Sequence, residues 1–446
     1  MLRVKITSSY GVRLLGINKM LYATNHIYQD AVCYLSDCVK EMWDDVSAIS
    51  KSKDRMTFVE RMTHAAGGRV PKCDFDSRFP NMPCYVRRSA IMDAIGQVSS
   101  YRSNYNNWLK AGSHGKPPQL GRHTSKAPVF YRGNMYRHPD DTTALLKLYN
   151  GKTWLWIKVS LRRQDVKYIN RHWSHAAKSA PRLELKQGKA RLVFAFTENV
   201  TLSDRADVIV GCDLGINTDA TLCAMRPDGT VFARKFINFA NEKGRLNHLM
   251  GITSKIQRRS GYKSTKHLWE YITLLNKLLA DHIASAITEF AWSVRADVIV
   301  FEYLDMRGVR NRRQKIAMWR KNDIQARTIH KAHRHGIHIA RVCAWNTSKL
   351  AFDGSGEVKR DADNYSLCTF QTGKRYNCDL SASYNIAARY YLRELIKPLP
   401  ETARSYVEAK VPGCMVRTTR TLSTLINCVA ALEKFASPEA ETQPYV

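Results

Sequence analysis

Residues 208–224 read VIVGCDLGINTDATLCA, and the carboxylate in the middle decides how the chain is read. Val208, Ile209, Val210, Gly211 and Cys212 lead straight into Asp213. A short apolar run closed by a glycine turn predicts a strand buried on both faces. A charge inside such surroundings is expensive unless something pairs with it. The run ADVIVFEYL, residues 296–304, repeats the pattern and reaches an acid at Glu302. A third acid, Asp379, follows RYNC and opens the amphipathic run LSASYNIAARYYLREL. The ends of strands in α/β sheets are where ligands gather, and a helix N-terminus favours negative charge.

Three such acids, far apart in sequence, have a chemical use if the fold collects them. Phosphodiester hydrolysis needs an activated water and a stabilised leaving oxygen. Two Mg²⁺ ions held by carboxylates supply both. Asp213, Glu302 and Asp379 are therefore the candidate catalytic and Mg²⁺-binding residues.

The composition points to the substrate. Lys and Arg number 70 against 39 Asp and Glu, a formal net charge of +31 over 446 residues. Hydrophobic residues make up 44%, enough for packed cores, so this is not a disordered basic tail. The bases are spread through the whole chain, which favours nucleic acid over a membrane surface. The opening MLRVKITSSYG lacks the apolar core of a signal peptide, and no run is long enough to span a membrane. Eleven cysteines, an odd number, read as reduced thiols in a cytoplasmic protein.

Length predicts two to four structural units. LRVKITSS alternates like a strand. INKMLYATNHIYQDAVCYLSDCVKEMW, residues 17–43, and RRSAIMDAIGQVSSYRSNYNNWLK, residues 87–110, read as helices. AGSHGKPPQLGRHTSKAP reads as a linker. The alternating runs that follow, among them LYNGKTWLWIKV with its Asn-Gly turn, predict hairpins. From Val208 onward strands and helices alternate as an α/β layer.

The ordered set GCDLGINTDA, VIVFEYL and CDLSASYNIAARY resembles the three motifs of RuvC-type nucleases. The resemblance is to transposon-encoded TnpB and the compact type V CRISPR effectors, in a position between the two groups. It covers about residues 208–395, where DHIASAI and IHKAHRHGIHIARVCAWNTS also look like the family's intervening passages. It implies a mixed α and β, multidomain chain: a helical recognition segment inserted in a small β-barrel, followed by an RNase H-like (RuvC) nuclease domain. The implied boundaries are 1–10 and 126–205 for the barrel and 11–125 for the recognition segment. The nuclease layer takes 206–345 and 379–397, an insert that loads the target strand takes 346–378, and an extension, disordered in part, takes 398–446. The implied activity is RNA-guided, Mg²⁺-dependent cleavage of double-stranded DNA beside a short adjacent motif, in a prokaryotic cytosol. Both monomer and homodimer are compatible with it. A guided DNA-binding protein that does not cut, and a resolvase or transposase that works without RNA, are the competing readings.

The sequence departs from the family in two places. The third motif carries Ser381 where the pattern has Asn, while Asn385 is kept. Two Cys-x-x-Cys pairs normally bind zinc in the insert. Their positions here hold Ala351, Gly354, Cys368 and Gln371, and neither Cys343 nor Cys378 restores the spacing. A zinc-free insert packed around Phe352, Tyr365 and Phe370 is expected. Candidate nucleic-acid contacts are Arg87, Arg88, Tyr101, Tyr105, Arg162, Arg163, Arg258, Arg259, Arg310, Arg312 and Arg313. The motif beside the target is expected to be read around Tyr85 to Arg88 and Tyr101 to Asn107.

Overall fold

The computed structural model describes the chain apart from residues 1, 17–18, 67, 69, 122, 141, 187, 262–264, 304–319 and 437–446. Two compact units emerge: Thr7–Glu198, and Met1–Ile6 with Asn199–Val446.

In the first unit, β1 (Arg3–Leu15) leads to helices α1 (Lys19–Glu41), α2 (Trp43–Ala48), α3 (Ser52–Thr63), α4 (Phe75–Arg78) and α5 (Cys84–Lys110). Strands β2 (Tyr136–Asp140), β3 (Thr143–Tyr149) and β4 (Trp154–Leu161) follow, then helix α6 (Arg163–Trp173) and strands β5 (Ala177–Lys178), β6 (Arg182–Lys186) and β7 (Lys189–Thr201). The strands form an antiparallel half-barrel sheet in the order β2-β3-β4-β1-β7-β5, with β6 also paired to β7. The Asn-Gly hairpin is present: Tyr149 pairs with Trp154, and Asn150 Oδ1 accepts from the Lys152 and Thr153 amides at 2.8 and 2.7 Å. Helices α1 and α5 pack through Tyr28, whose hydroxyl donates to Asp93 at 2.8 Å. The first strand runs on past residue 10 to Leu15. Gly11 does not break it, because Arg191 and Val193 lie close over that glycine.

The second unit contains β8 (Ile209–Asp213), β9 (Ala220–Met225), β10 (Val231–Ile237), α7 (Ala240–Ser260), α8 (Lys266–Ser293), β11 (Val298–Tyr303), α9 (Lys321–Arg334) and β12 (His338–Cys343). After them come the short strands β13 (Lys359–Arg360), β14 (Leu367–Thr369) and β15 (Arg375–Asn377). Helices α10 (Cys378–Ile396), α11 (Glu401–Lys410) and α12 (Leu422–Ala436) complete the unit. The main sheet runs β10-β9-β8-β11-β12, with β8, β11 and β12 parallel. Each face carries its own core. Val210, Cys212, Ile299 and Phe301 pack with residues of α7, α8 and α9. Ile209, Val298, Val300 and Val342 pack with residues of α10 and α12. This is a three-layer α/β/α arrangement, and it explains why the central strands are apolar at every position. Helix α12 is part of the layer: Leu422, Leu425 and Cys428 are buried in the second core.

Candidate active site

Strands β8 and β11 run parallel, and Cys212 opposite Phe301 is their last pair. The next residue on each strand is Asp213 or Glu302. Neighbouring strands lie about 4.8 Å apart, and residues at one level of a parallel pair project to the same face. Asp213 shares parity with Ile209, and Glu302 with Val300, both of the α10-side core. Both carboxylates therefore stand on the α10 side. The register is pinned at the other end of the strands. The Asp297 carboxylate accepts from Ser203 Oγ at 2.8 Å and the Asp207 amide at 3.0 Å. Its amide and carbonyl tie β11 to Val208 and His338, each at 2.8 Å.

The third acid arrives on α10. Asn377 caps this helix, its side chain accepting from the Leu380 amide at 2.9 Å, and Asp379 sits in the first turn. The helix lies against β8 because residue 211 is glycine. A Cβ there would stand 2.4 Å from the Ser383 carbonyl oxygen and 2.9 Å from Ala387 Cβ. Asp379 is one turn before Ser383, so this close approach delivers it to the strand-borne pair. All three acids are part-exposed.

Their electrostatics are mutual. Burial pushes Asp213 well above the ordinary carboxylate range, and repulsion from Glu302 and Asp379 pushes it further, against the pull of Lys321 and Arg360. Burial raises Glu302, opposed by its hydrogen bond from Thr347 and by Lys321 and Arg389. Burial raises Asp379, opposed by Arg360 and by a hydrogen bond with Thr218. Lys321 is 6% exposed. Burial pulls its ammonium down to about 8, although Glu302 and Asp213 favour the charge.

A supporting network holds the acids in place. Thr347 Oγ1 donates to Glu302 Oε1. Asn385 Nδ2 donates to the Thr347 and Leu350 carbonyls at 3.0 and 2.9 Å, and its Oδ1 accepts from the Leu422 amide at 3.2 Å. The buried Arg389 guanidinium spans the carbonyls of Cys343, Trp345, Thr418 and Arg420, at 2.7 to 3.0 Å. Gln325 Nε2 donates to the Glu302 carbonyl at 3.4 Å.

The donor set is three hard oxygen ligands whose charges repel one another, which suits a divalent cation such as Mg²⁺. Among the described residues, no three His, Cys, Asp or Glu side chains converge on one point as metal ligands. Glu302 is turned onto Thr347 and Asp379 onto Thr218.

The insert has an apolar centre of Ala351, Cys368, Phe370 and Cys378, flanked by Phe352, Val358 and Tyr376. Phe352 meets Phe370 edge-on at 5.4 Å and Tyr376 at 5.0 Å. Tyr365, expected in this packing, is 66% exposed, and Tyr376 takes the role. The Tyr365 ring lies under Arg360 at 5.5 Å.

The basic candidates fall in different settings. Arg87 is buried, at 7% exposure, and is paired to Glu60 at 3.1 Å. Its guanidinium braces α5 against α3 and does not face solvent, a correction to its expected nucleic-acid role. Arg88 shares Glu60 at 3.0 Å and is part-exposed. Tyr101 and Tyr105 are part-exposed neighbours with ring centroids 6.1 Å apart. Arg162, Arg163, Arg258 and Arg259 are exposed. Arg310, Arg312 and Arg313 lie outside the described residues. Lys321, Arg360 and Arg389 escaped the sequence reading, because a base among seventy carries no mark of its place. Thr347 had a signal in the Asn-Thr-Ser passage.

Known proteins were compared with the chain. A family model described as the Aq_aa04 family matches residues 8–150. No curated protein matches. Among solved structures, the chain is similar to a Cas12f1 in complex with sgRNA and target DNA. That match has a TM-score of 0.54 and 14% identity over 83% of this chain and 81% of that one. It is also similar to a mini RNA-guided endonuclease, CRISPR-Cas_phi3, with a TM-score of 0.50 and 10% identity over 86% of this chain and 92% of that one. The likeness is one of fold: a mixed α/β multidomain chain built like compact type V effectors. Among the described residues, no helix is long and apolar enough to cross a membrane.

Proposed function

We propose that the chain is an RNA-guided DNA endonuclease with a single RuvC-type site formed by Asp213, Glu302 and Asp379. The observation that carries this reading is the placement of three acids, from two parallel strands and a helix, on one side of the sheet. The fold supports it, since the similar structures include a guide RNA and target DNA complex and an RNA-guided endonuclease. The net charge of +31 supports it too, as phosphate neutralisation dominates nucleic-acid affinity.

Asp213, Glu302 and Asp379 would hold Mg²⁺, which when bound activates the attacking water and offsets charge on the leaving oxygen. The chain's own residues do the rest. Thr347 fixes the Glu302 carboxylate, and Asn385 fixes Thr347 through its carbonyl. Arg360, on the insert, sits near Asp213 and Asp379 and draws a backbone phosphate toward them. The half-barrel (1–10 and 126–205) and the helical segment (11–125) would grip guide and target. A descent shared with transposon-encoded TnpB belongs to the same proposal.

The test is to purify the full chain from cells carrying its native locus and sequence the RNA that accompanies it. The chain should then bind DNA matching that RNA, and cut it only when Mg²⁺ is present. Absence of a defined RNA would favour a guide-independent nuclease. Guided binding without cutting would make the chain a targeting module.

A further inference from the structure

Two exposed aromatic side chains flank the acids at one end of the second unit's sheet. The first is Phe236, on the edge strand β10. Phe236 pairs with Thr221 on β9, and Thr221 pairs with Asp213 on β8. The three make one row across three strands, and paired residues project to the same face. Phe236 therefore shares the α10 side with Asp213, two strand spacings or about 10 Å away. Arg234, two residues back on β10, marks the same side: its guanidinium lies over the Tyr384 ring of α10 at 5.6 Å. Thr221 is buried, whereas Phe236 is 50% exposed, so the cover over this row ends at the edge strand.

The second is Trp345, just past the end of β12 at the opposite edge. It is 73% exposed, although tryptophan is highly buried on average. Its backbone is firmly held. The Trp345 carbonyl accepts from Arg389 Nη1 at 2.7 Å. Asn346 turns the chain with a φ of 61°, and its carbonyl accepts from the Lys349 and Leu350 amides at 3.2 and 3.1 Å. Thr347, two residues after Trp345, donates to Glu302. The Trp345 Cα therefore lies at most about 7 Å from the Cα of the residue that grips this acid.

Single exposed apolar side chains are ordinary, and it is their placement that sets these two apart. β10 and β12 are the two edges of the sheet. Asp213 and Glu302 lie on the strands between them. β10 and β8 are both antiparallel to β9, and β12 is parallel to β11 and β8, so Phe236, both acids and Trp345 stand at the same end. Arg234 and Lys235 are exposed beside Phe236, and Lys349 is exposed after Trp345. Aromatic faces with cations beside them suit nucleobases and their phosphates.

We propose that one DNA strand crosses this end of the sheet from β10 to β12, with a base stacked on Phe236 on one side of the acids and a base stacked on Trp345 on the other. Four strand spacings separate the edges, about 19 Å. A stacked strand rising roughly 3.4 Å per nucleotide covers that span in about five nucleotides. The inference rests on the proposed nuclease function, which supplies the strand.

The test uses the full chain with its copurified RNA and matching DNA, with Ca²⁺ in place of Mg²⁺. The DNA carries 5-iodouracil at successive positions, and irradiation crosslinks that base to an aromatic side chain stacked on it. Peptide mapping should find crosslinks at Phe236 and at Trp345, from two positions about five nucleotides apart that bracket the bond cut once Mg²⁺ is restored. Phe236→Ala and Trp345→Ala should each lose their own crosslink, keep the other, and slow cutting about 5- to 150-fold. Phe236→Tyr and Trp345→Phe should keep both crosslinks and most of the rate. A complex that forms but crosslinks at neither aromatic, or on one side of the cut bond only, overturns the path alone. Alanine variants that cut at the wild-type rate overturn it too, and a dimer split by either of them would make a second copy the occupant. A wild type that binds no DNA, or binds it and never cuts, overturns the nuclease reading and the path with it.

Discussion

Gly211→Ala tests the packing that assembles the site. The added Cβ would stand 2.4 Å from the Ser383 carbonyl oxygen and 2.9 Å from Ala387 Cβ, where carbon contacts normally begin at about 3.5 Å. Neither obstacle is the flexible end of a side chain, so α10 must retreat from β8 by about 1 Å. Overpacking of this kind costs about 1–3 kcal/mol. At about 1.4 kcal/mol per factor of ten, amides of β8 and α10 should exchange with solvent roughly 5- to 150-fold faster. Asp379 travels with the helix, and a displacement of about 1 Å at a reacting centre costs on the order of 100-fold in rate. Hydrogen exchange followed by mass spectrometry measures the first effect, and cleavage of guided DNA measures the second. Gly244→Ala is the contrast. It sits in α7 with nothing within 4 Å of its Cβ position, so it should slow exchange in α7 by up to about 1 kcal/mol of helix propensity. If Gly211→Ala leaves exchange in β8 and α10 at wild-type rates, the close-packed glycine is not what brings Asp379 to the strand acids.

Other expectations follow from the same geometry. Because Asp213 is raised by burial and by its acidic neighbours, the folded state holds a proton that the unfolded chain has released. In chelator, stability should be greatest below the ordinary carboxylate range and fall as pH rises toward the raised value. Asp213→Asn should therefore raise the melting temperature at pH 7 more than at pH 5; an equal or opposite change would refute the assignment. Asn385→Leu removes three hydrogen bonds, two of them fully buried, and should cost about 2–4 kcal/mol in urea unfolding, with α12 loosening first by hydrogen exchange. Thr347→Val keeps the shape but removes the donor to Glu302. It should lower cleavage at limiting Mg²⁺ far more than at saturating Mg²⁺, whereas equal loss at both would mean that the hydroxyl does not serve the carboxylate.

Part of this was legible in the sequence because its physics is local. Val208–Cys212 and Val298–Phe301 are apolar at every position since both faces of their strands are covered, and that pattern needs no partner to be read. The acid at each end stands out against it. The hairpin at Asn150–Gly151 was legible for the same reason, as turn chemistry acts within four residues. What escaped depends on distant contacts. Arg87 looked like any other base until α5 packed on α3 and paired it with Glu60. Lys321 and Arg389 acquire meaning only once α9 and α10 bring them to Glu302 on β11. The helical run TLSTLINCVAALEKFA was legible from its spacing and is α12, whereas its place in the layer depends on a core that α10 creates. Gly11 reads as a break because the chain that crosses it, at Arg191, is 180 residues away.

The central claim is that Asp213, Glu302 and Asp379 act together on a DNA strand selected by a bound RNA. The most direct measurement is cleavage of DNA matching the copurified RNA by wild type and by Asp213→Asn, Glu302→Gln and Asp379→Asn. The account predicts Mg²⁺-dependent cutting by wild type, and a loss of at least 1,000-fold, about 4 kcal/mol of barrier, in each variant with guided binding intact. Cutting at the wild-type rate by any one of the three variants would contradict it.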